Sequence, residues 1–193
     1  MDPAYGKAAT VAALVALVAI RAPHGQRSTA VPVVKSRKGL VEVAILTVAW
    51  AGFFLPLAWV LSPWLAFADY PLRPVPFAAG VLALAGGLRL FHRSHADLGT
   101  NWSITLEVRE GHRLVTGGVY RTIRHPMYTA LLLYSAGLAL VLPNLVAGSA
   151  YLAAIGLVVA CRLGPEERMM AEEFGEEHAA WKARTKRLIP GIW

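Results

Sequence analysis

Apolar and polar positions alternate along this chain in long blocks. Residues 8–20 read AATVAALVALVAI without a polar interruption beyond one threonine. Extended to 5–22, the run approaches the roughly 20 residues a membrane helix needs, with Arg21 placed to snorkel at its end. A second run covers about 40–61, with Glu42 near its entry, Trp50 and Trp59 along it, and Pro56 as an expected kink in its last turns. A third covers 77–91, where Gly86 and Gly87 let a neighbouring helix come close. Two further runs, 127–142 and 145–161, are separated only by Pro143 and Asn144, which predicts a tight helical hairpin. Between the third and fourth runs lies a polar interlude, 92–126, with no helical apolar stripe. After the fifth, Met170, Phe174, His178 and Trp181 recur at spacings of four, four and three in a charged tail. That spacing predicts an amphipathic helix on the membrane surface, bent near Gly175. The expected fold is an all-α integral membrane protein of about five transmembrane helices, with a polar cytoplasmic interlude and a C-terminal amphipathic helix. It is expected to form one domain over 1–193: three spans (1–91), a polar loop (92–126), a hairpin (127–161) and a tail (162–193).

Composition agrees with the pattern. Of 193 residues 56% are apolar and only 16% charged, against about 25% charged in soluble domains. The formal net charge of +7 does not point to nucleic acid, because the basic residues flank apolar runs instead of forming a patch with interleaved aromatics. Among them is the basic connection carrying Arg27, Lys35, Arg37 and Lys38. If that connection with Arg21, the interlude and the tail share one side, all 19 Lys and Arg lie there except Lys7 and Arg73 opposite and Arg89, which stands within the third run near that side. The positive-inside rule then places the N-terminus outside, and the interlude and C-terminus in the cytoplasm. A single cysteine, Cys161, excludes an internal disulfide and a multi-cysteine metal site. The first six residues lack the basic region of a cleavable signal.

Candidate chemistry concentrates in the interlude and the start of the tail. Pro126 stands at the expected first position of the fourth helix, a common structural role. Arg124 and His125 before it read either as membrane-edge anchors or as part of a helix N-terminus that receives an anionic group. Half of the acidic residues fall in Glu166, Glu167, Glu172, Glu173, Glu176 and Glu177. From Glu172 onward they read as a solvated helix face. Glu166 and Glu167 instead follow a buried run, Arg162 and an expected break at Gly164 and Pro165. An arginine at the end of an apolar run is costly unless paired or functional. His92 and His95, with His112 or Asp97, make only a weak metal set, and no metal is expected. Trp64, Trp102, Trp181 and Trp193 read as interfacial anchors.

The passage GHRLVTGGVYRTIRHPMY, then a hairpin, then Arg162, Glu166, Glu167 and EEFGEEHAAW, resembles the isoprenylcysteine carboxyl methyltransferase family. The resemblance covers about 98–190, including the preceding LGTNWS, and length and span count are similar to the compact prokaryotic members. It implies an integral membrane enzyme that uses S-adenosylmethionine, leaving S-adenosylhomocysteine, without a Rossmann domain; no strand followed by GxGxxG occurs here. By resemblance the cofactor is held by His112, Arg113, Leu114, Val115, Tyr120, His125, Pro126, Met127, Tyr128 and Glu166, and Arg162 lies near the methyl acceptor. Arg162 and Glu166 are the implied catalytic pair. The implied acceptor is a hydrophobic or lipid-anchored carboxylate, prenylcysteine-like, entering from the membrane lipid. Related enzymes with the same cofactor architecture methylate phospholipid amines or small thiols. A non-catalytic transporter or assembly protein is the alternative of another class, and no inverted repeat supports transport.

Overall fold

The structure, a computed structural model, describes residues 1–30, 32–36, 39–102, 105, 107–109 and 111–193. Arg37 and Lys38 of the expected basic connection, and Ser103 of the LGTNWS segment, lie outside the described residues. Among the described residues five α-helices form the body: α1 (Pro3–Thr29), α2 (Leu40–Leu61), α3 (Pro74–Leu98), α4 (Pro126–Val141) and α5 (Leu145–Arg184). Four are long and apolar enough to cross a membrane. The chain is an integral membrane protein. At 16 residues, α4 spans about 24 Å, short of the roughly 30 Å hydrocarbon core. It is nonetheless central, with Tyr134, Leu138 and Val141 fully buried between its neighbours.

Local chemistry sets the helix starts. The Asp2 carboxylate accepts from the Ala4 N–H at 2.7 Å. Proline opens α1, α3 and α4, where a missing N–H costs nothing. Asn144 caps α5 by accepting from the Ala147 N–H at 2.8 Å, and its amide donates to Asp69 Oδ1 at 2.7 Å. Asp69 also accepts from the Trp59 indole at 2.6 Å. This knot joins the α2–α3 loop to the α4–α5 turn, which forms the expected hairpin at Pro143 and Asn144.

Lipid tails are as apolar as leucine, so helices associate in a membrane through close packing. The α3–α4 pair does so through glycines. A Cβ on Gly87 would stand 2.8 Å from the Tyr134 backbone nitrogen, and one on Gly137 would stand 2.8 Å from that of Leu84. At Gly86 the neighbour is only the Leu133 side chain, so Gly87 is the close-approach member of the pair. α2 packs on α5 where Gly52 faces Ala154. α1 packs mainly on α3 and touches α2 only lightly.

Three expectations change. The third helix runs to Leu98 instead of ending near 91, because Ser94 Oγ and His95 Nδ1 bond back to Leu90 O and Phe91 O (2.8 and 2.9 Å) and make a polar turn helical. The tail is not a separate helix. α5 continues through Gly164 and Pro165, since proline removes one backbone bond only. It breaks at Gly175, whose φ of 47° lies where side chains are disfavoured. Finally, part of the interlude is extended: Val33–Ser36 (β1) pairs antiparallel with Glu107–Arg109 (β2).

The loop at 62–73, the start of α1 and the α4–α5 turn share one end of the bundle; the Met1 amino group donates to Leu72 O at 3.0 Å. The opposite end gathers the β1–β2 pair, the polar loop before α4 and the C-terminal segment.

Candidate active site

The polar loop is pinned by the end of α3 and the turn that follows it, Gly99–Asn101. Asn101 Oδ1 accepts from the Arg113 N–H at 3.0 Å, fixing the HRLV segment. Asp97 Oδ2 accepts from the Val119 N–H at 2.8 Å. The turn beneath it needs glycine: Gly118 has φ 56°, and a Cβ there would collide with the Asp97 carboxylate. This places Tyr120 in the interior, 6% exposed, with its hydroxyl donating to Ser94 O at 3.4 Å. The Trp181 indole donates to Tyr120 O at 3.0 Å. Burial first, then the Glu166 and Asp97 charges, push the Tyr120 phenol well above its ordinary pKa, so it stays neutral.

The Arg124–His125–Pro126 segment is clamped by the C-terminal segment after α5. The Arg124 N–H donates to Lys186 O at 2.7 Å and the His125 N–H to Arg187 O at 3.0 Å; Thr129 Oγ1 donates to Leu188 O at 2.7 Å. Arg124 and His125 are therefore not membrane-edge anchors, and both are buried. Arg124 pairs with Glu167 at 2.8 Å and donates to Thr185 O at 2.7 Å. Arg187 reaches the other Glu167 oxygen at 3.0 Å.

His125 lies between two carboxylates, Nδ1 at 3.6 Å from Glu166 and Nε2 at 3.6 Å from Glu167. These are charge contacts, too long for hydrogen bonds. Burial disfavours the imidazolium, but the paired carboxylates outweigh it and raise His125 to about 9. A cation is thus built into the first turn of α4.

These elements surround one cavity of about 230 Å³. Its polar half is lined by His112, Arg113, Leu114, Val115, Tyr120 and His125, with Met127, Tyr128, Glu166 and Arg162. Every residue that the resemblance assigned to the cofactor or the acceptor lines it except Pro126, which is fully buried at the first position of α4 behind the lining. The Tyr128 hydroxyl donates to Glu166 Oε2 at 2.6 Å, and the Tyr128 ring stacks on His125 with centroids 5.6 Å apart. The apolar half lies between α1, α2 and α5, on Leu17, Trp50, Phe53, Ile155 and Val158. Arg162 stands among the lining residues of both halves, with Nη2 3.3 Å from Glu42 of α2 and Nε buried without a partner among the described residues.

Trp102 and Trp181 are not interfacial anchors: each is 4% exposed and lines the cavity. Trp64 and Trp193 are exposed. His95 packs on the Phe91 and Trp102 rings, and His112 on Phe174. Sequence reasoning did not place Arg21, Glu42, Asn101 or Trp102 at this site. A periodic signal existed for Arg21, which lies on the same face of α1 as buried Leu14 and Leu17.

A phospholipid methyltransferase family model matches residues 75–177, more than half of the chain. The chain belongs to the phospholipid methyltransferase family. Within that family it is similar to protein-S-isoprenylcysteine O-methyltransferases, as the resemblance of GHRLVTGGVYRTIRHPMY implied. The Homo sapiens enzyme is 30% identical over 141 residues, 68% of this chain and 50% of its own length. Protein-S-isoprenylcysteine O-methyltransferase B of Arabidopsis thaliana is 30% identical over 89 residues, 46% of this chain and 45% of its own. The chain spans about half the length of these curated relatives. Among solved structures, the eukaryotic intramembrane Ras methyltransferase (isoprenylcysteine carboxyl methyltransferase) superposes with a TM-score of 0.55 at 25% identity, over 78% of this chain and 52% of that one. The matched region of the phospholipid methyltransferase family model runs from the start of α3 to beyond Gly175, and so contains the polar half of the cavity.

Proposed function

We propose that this chain is an integral membrane methyltransferase that uses S-adenosylmethionine to methylate the carboxylate of a hydrophobic, prenylcysteine-like acceptor. The observation that carries the reading is one cavity with two chemically different halves, a polar cradle and an apolar chamber, with Arg162 lining their junction.

The polar half fits S-adenosylmethionine, which combines an amino acid head, a sulfonium and an adenosine. Glu166 offers a carboxylate to the amino group or ribose hydroxyls. Protonated His125 offers a charge to the head's carboxylate, and its Nε2 is buried without a hydrogen-bond partner among the described residues. Tyr120 and Tyr128 offer ring faces to a cation, while Asn101 and Asp97 hold the HRLV and GGVY backbones in place. When bound, S-adenosylmethionine supplies a methyl group activated by the positive sulfur.

The remaining work falls to the protein as alignment. A carboxylate acceptor is already ionised at neutral pH and needs no general base. Arg162 holds it with charge-assisted hydrogen bonds, and Glu42 occupies that guanidinium when no acceptor is present. The apolar half excludes water from the reacting groups. Correct positioning of two reactants contributes about 7 to 11 kcal/mol. The acceptor's apolar tail enters from the bilayer between α1 and α2, which scarcely touch. The interlude, the active site and the C-terminus face the cytoplasm, as the basic-residue bias predicts.

The family model's description favours a second reading, a phospholipid amine as acceptor. That reaction requires removal of a proton and therefore a base of matched pKa. Arg162→Ala tests the first reading: S-adenosylhomocysteine affinity measured by calorimetry stays within about threefold, while transfer of radiolabelled methyl to an S-farnesylcysteine carboxylate is lost. Parallel loss of binding and turnover would assign Arg162 to the cofactor side instead.

A further inference from the structure

α1 carries a second arginine into the same cavity. Its buried stripe runs through Thr10, Leu14 and Leu17, and half-buried Arg21 continues the same face about two turns before the helix ends. The Arg21 guanidinium sits over two indoles, 5.4 Å from the Trp102 ring centroid and 5.9 Å from that of Trp50. Stacking on these rings offsets part of the cost of taking the charge out of water and leaves its planar N–H edge for a partner. Among the described residues no carboxylate lies within ion-pair distance of Arg21, and no hydrogen bond from it is found. Arg162 lines the same cavity, so two like charges face one space and repel. Two guanidinium groups from different helices thus line one cavity, with Glu42 paired to only one of them.

A half-buried cation in a membrane helix, with neither counter-ion nor hydrogen-bond partner among the described residues, marks a place for a ligand's anion. Were the acceptor an ammonium, it would meet two positive charges at this end of the cavity, and an uncompensated like-charge contact is unfavourable. A carboxylate would relieve the repulsion between the arginines by neutralising both.

We propose that Arg21 is the second cation of the acceptor site: with Arg162 it binds the acceptor's anionic head and selects carboxylates over amines. This rests on the methyltransferase reading above and specifies its acceptor. Trp50 and Trp102 position the guanidinium, and Trp102 is itself anchored by its indole N–H to Met127 Sδ at 3.1 Å, at the start of α4.

The test uses the full chain in lipid nanodiscs, with S-adenosylhomocysteine present. Binding of N-acetyl-S-farnesylcysteine is compared with that of its neutral carboxamide and of a farnesyl amine, for wild type, Arg21→Gln and Arg21→Lys. The wild type is expected to prefer the carboxylate. Arg21→Gln is expected to reduce carboxylate affinity about 10- to 100-fold, the range for a charged hydrogen-bond partner, with carboxamide and S-adenosylhomocysteine binding unchanged. Arg21→Lys should recover part of the loss. An unchanged carboxylate preference in Arg21→Gln, or loss of all three ligands together, would overturn the assignment. A wild type that binds S-adenosylhomocysteine but prefers the amine would overturn selection by charge and leave a methyltransferase standing. Carboxylate binding that depends on Arg21 but comes without any S-adenosylhomocysteine binding would uphold the anion site and overturn the methyltransferase reading.

Discussion

Glu167 is expected to be a structural keystone, and its neighbour Glu166 a ligand-binding group. Removing the Glu167 carboxylate by Glu167→Ala leaves Arg124, whose side chain is 6% exposed, without its 2.8 Å counter-ion. Breaking a buried pair from one side costs about 3 to 5 kcal/mol, because a desolvated charge remains. Arg124 keeps carbonyl acceptors at Thr185 and Lys182 (2.7 and 3.4 Å), which favours the lower end. Arg187, 38% exposed, adds little, since exposed pairs contribute about 1 kcal/mol or less. The expected loss is therefore about 3 kcal/mol, or roughly 6 to 12 °C in melting temperature for a chain of this size. The clamp between the His125 segment and residues 185–188 should loosen with it. Thermal unfolding in detergent of the two single variants, Arg124→Ala and Glu167→Ala, and of the double variant gives the coupling directly. The double variant should be destabilised by at least about 1 kcal/mol less than the sum of the singles. Strict additivity, or an unchanged melting temperature in Glu167→Ala, would refute the argument.

Gly87→Val should destabilise the α3–α4 contact by about 1 to 3 kcal/mol, since its Cβ would meet rigid backbone at Tyr134. Gly86→Val meets only a leucine side chain and should cost less; equal melting temperatures for the two would contradict this. The His125 pKa, raised from 6.5 to about 9, contributes up to about 3 kcal/mol. Because the folded-state value is the higher one, that contribution is fully present below pH 6.5 and disappears as pH rises through about 9. The wild type should accordingly lose melting temperature over this window relative to His125→Ala, and parallel curves would count against the charged histidine.

The sequence locates the helices through their apolar runs but misses where they stop. Polar residues end a hydrophobic run without ending a helix, as Ser94 and His95 of α3 illustrate by bonding back to their own helix carbonyls. Pro165 looked like a break and is not one, whereas Gly175, with positive φ, is. The polar face of the site was legible because its residues are close in the chain: Gly111 to Tyr128 supplies most of that lining. Partners distant in sequence were not. The cost of burying Arg162 could be inferred from its place after an apolar run, but Glu42 lies 120 residues away and nothing local marks the pairing. Arg21 was misread for the same reason: a helix end excuses a charge, and only the packed bundle sets it between Trp50 and Trp102.

On this reading the polar half of the cavity binds S-adenosylmethionine through Glu166 and the α4 N-terminus. Calorimetric titration of S-adenosylhomocysteine into purified protein, wild type against Glu166→Ala, tests it most directly. Binding by the wild type is expected, with a loss of about 10- to 100-fold in the variant, as for removal of a charged hydrogen-bond partner, and a smaller drop in melting temperature than in Glu167→Ala. Absence of wild-type binding, or equal affinity in the two proteins, would contradict it.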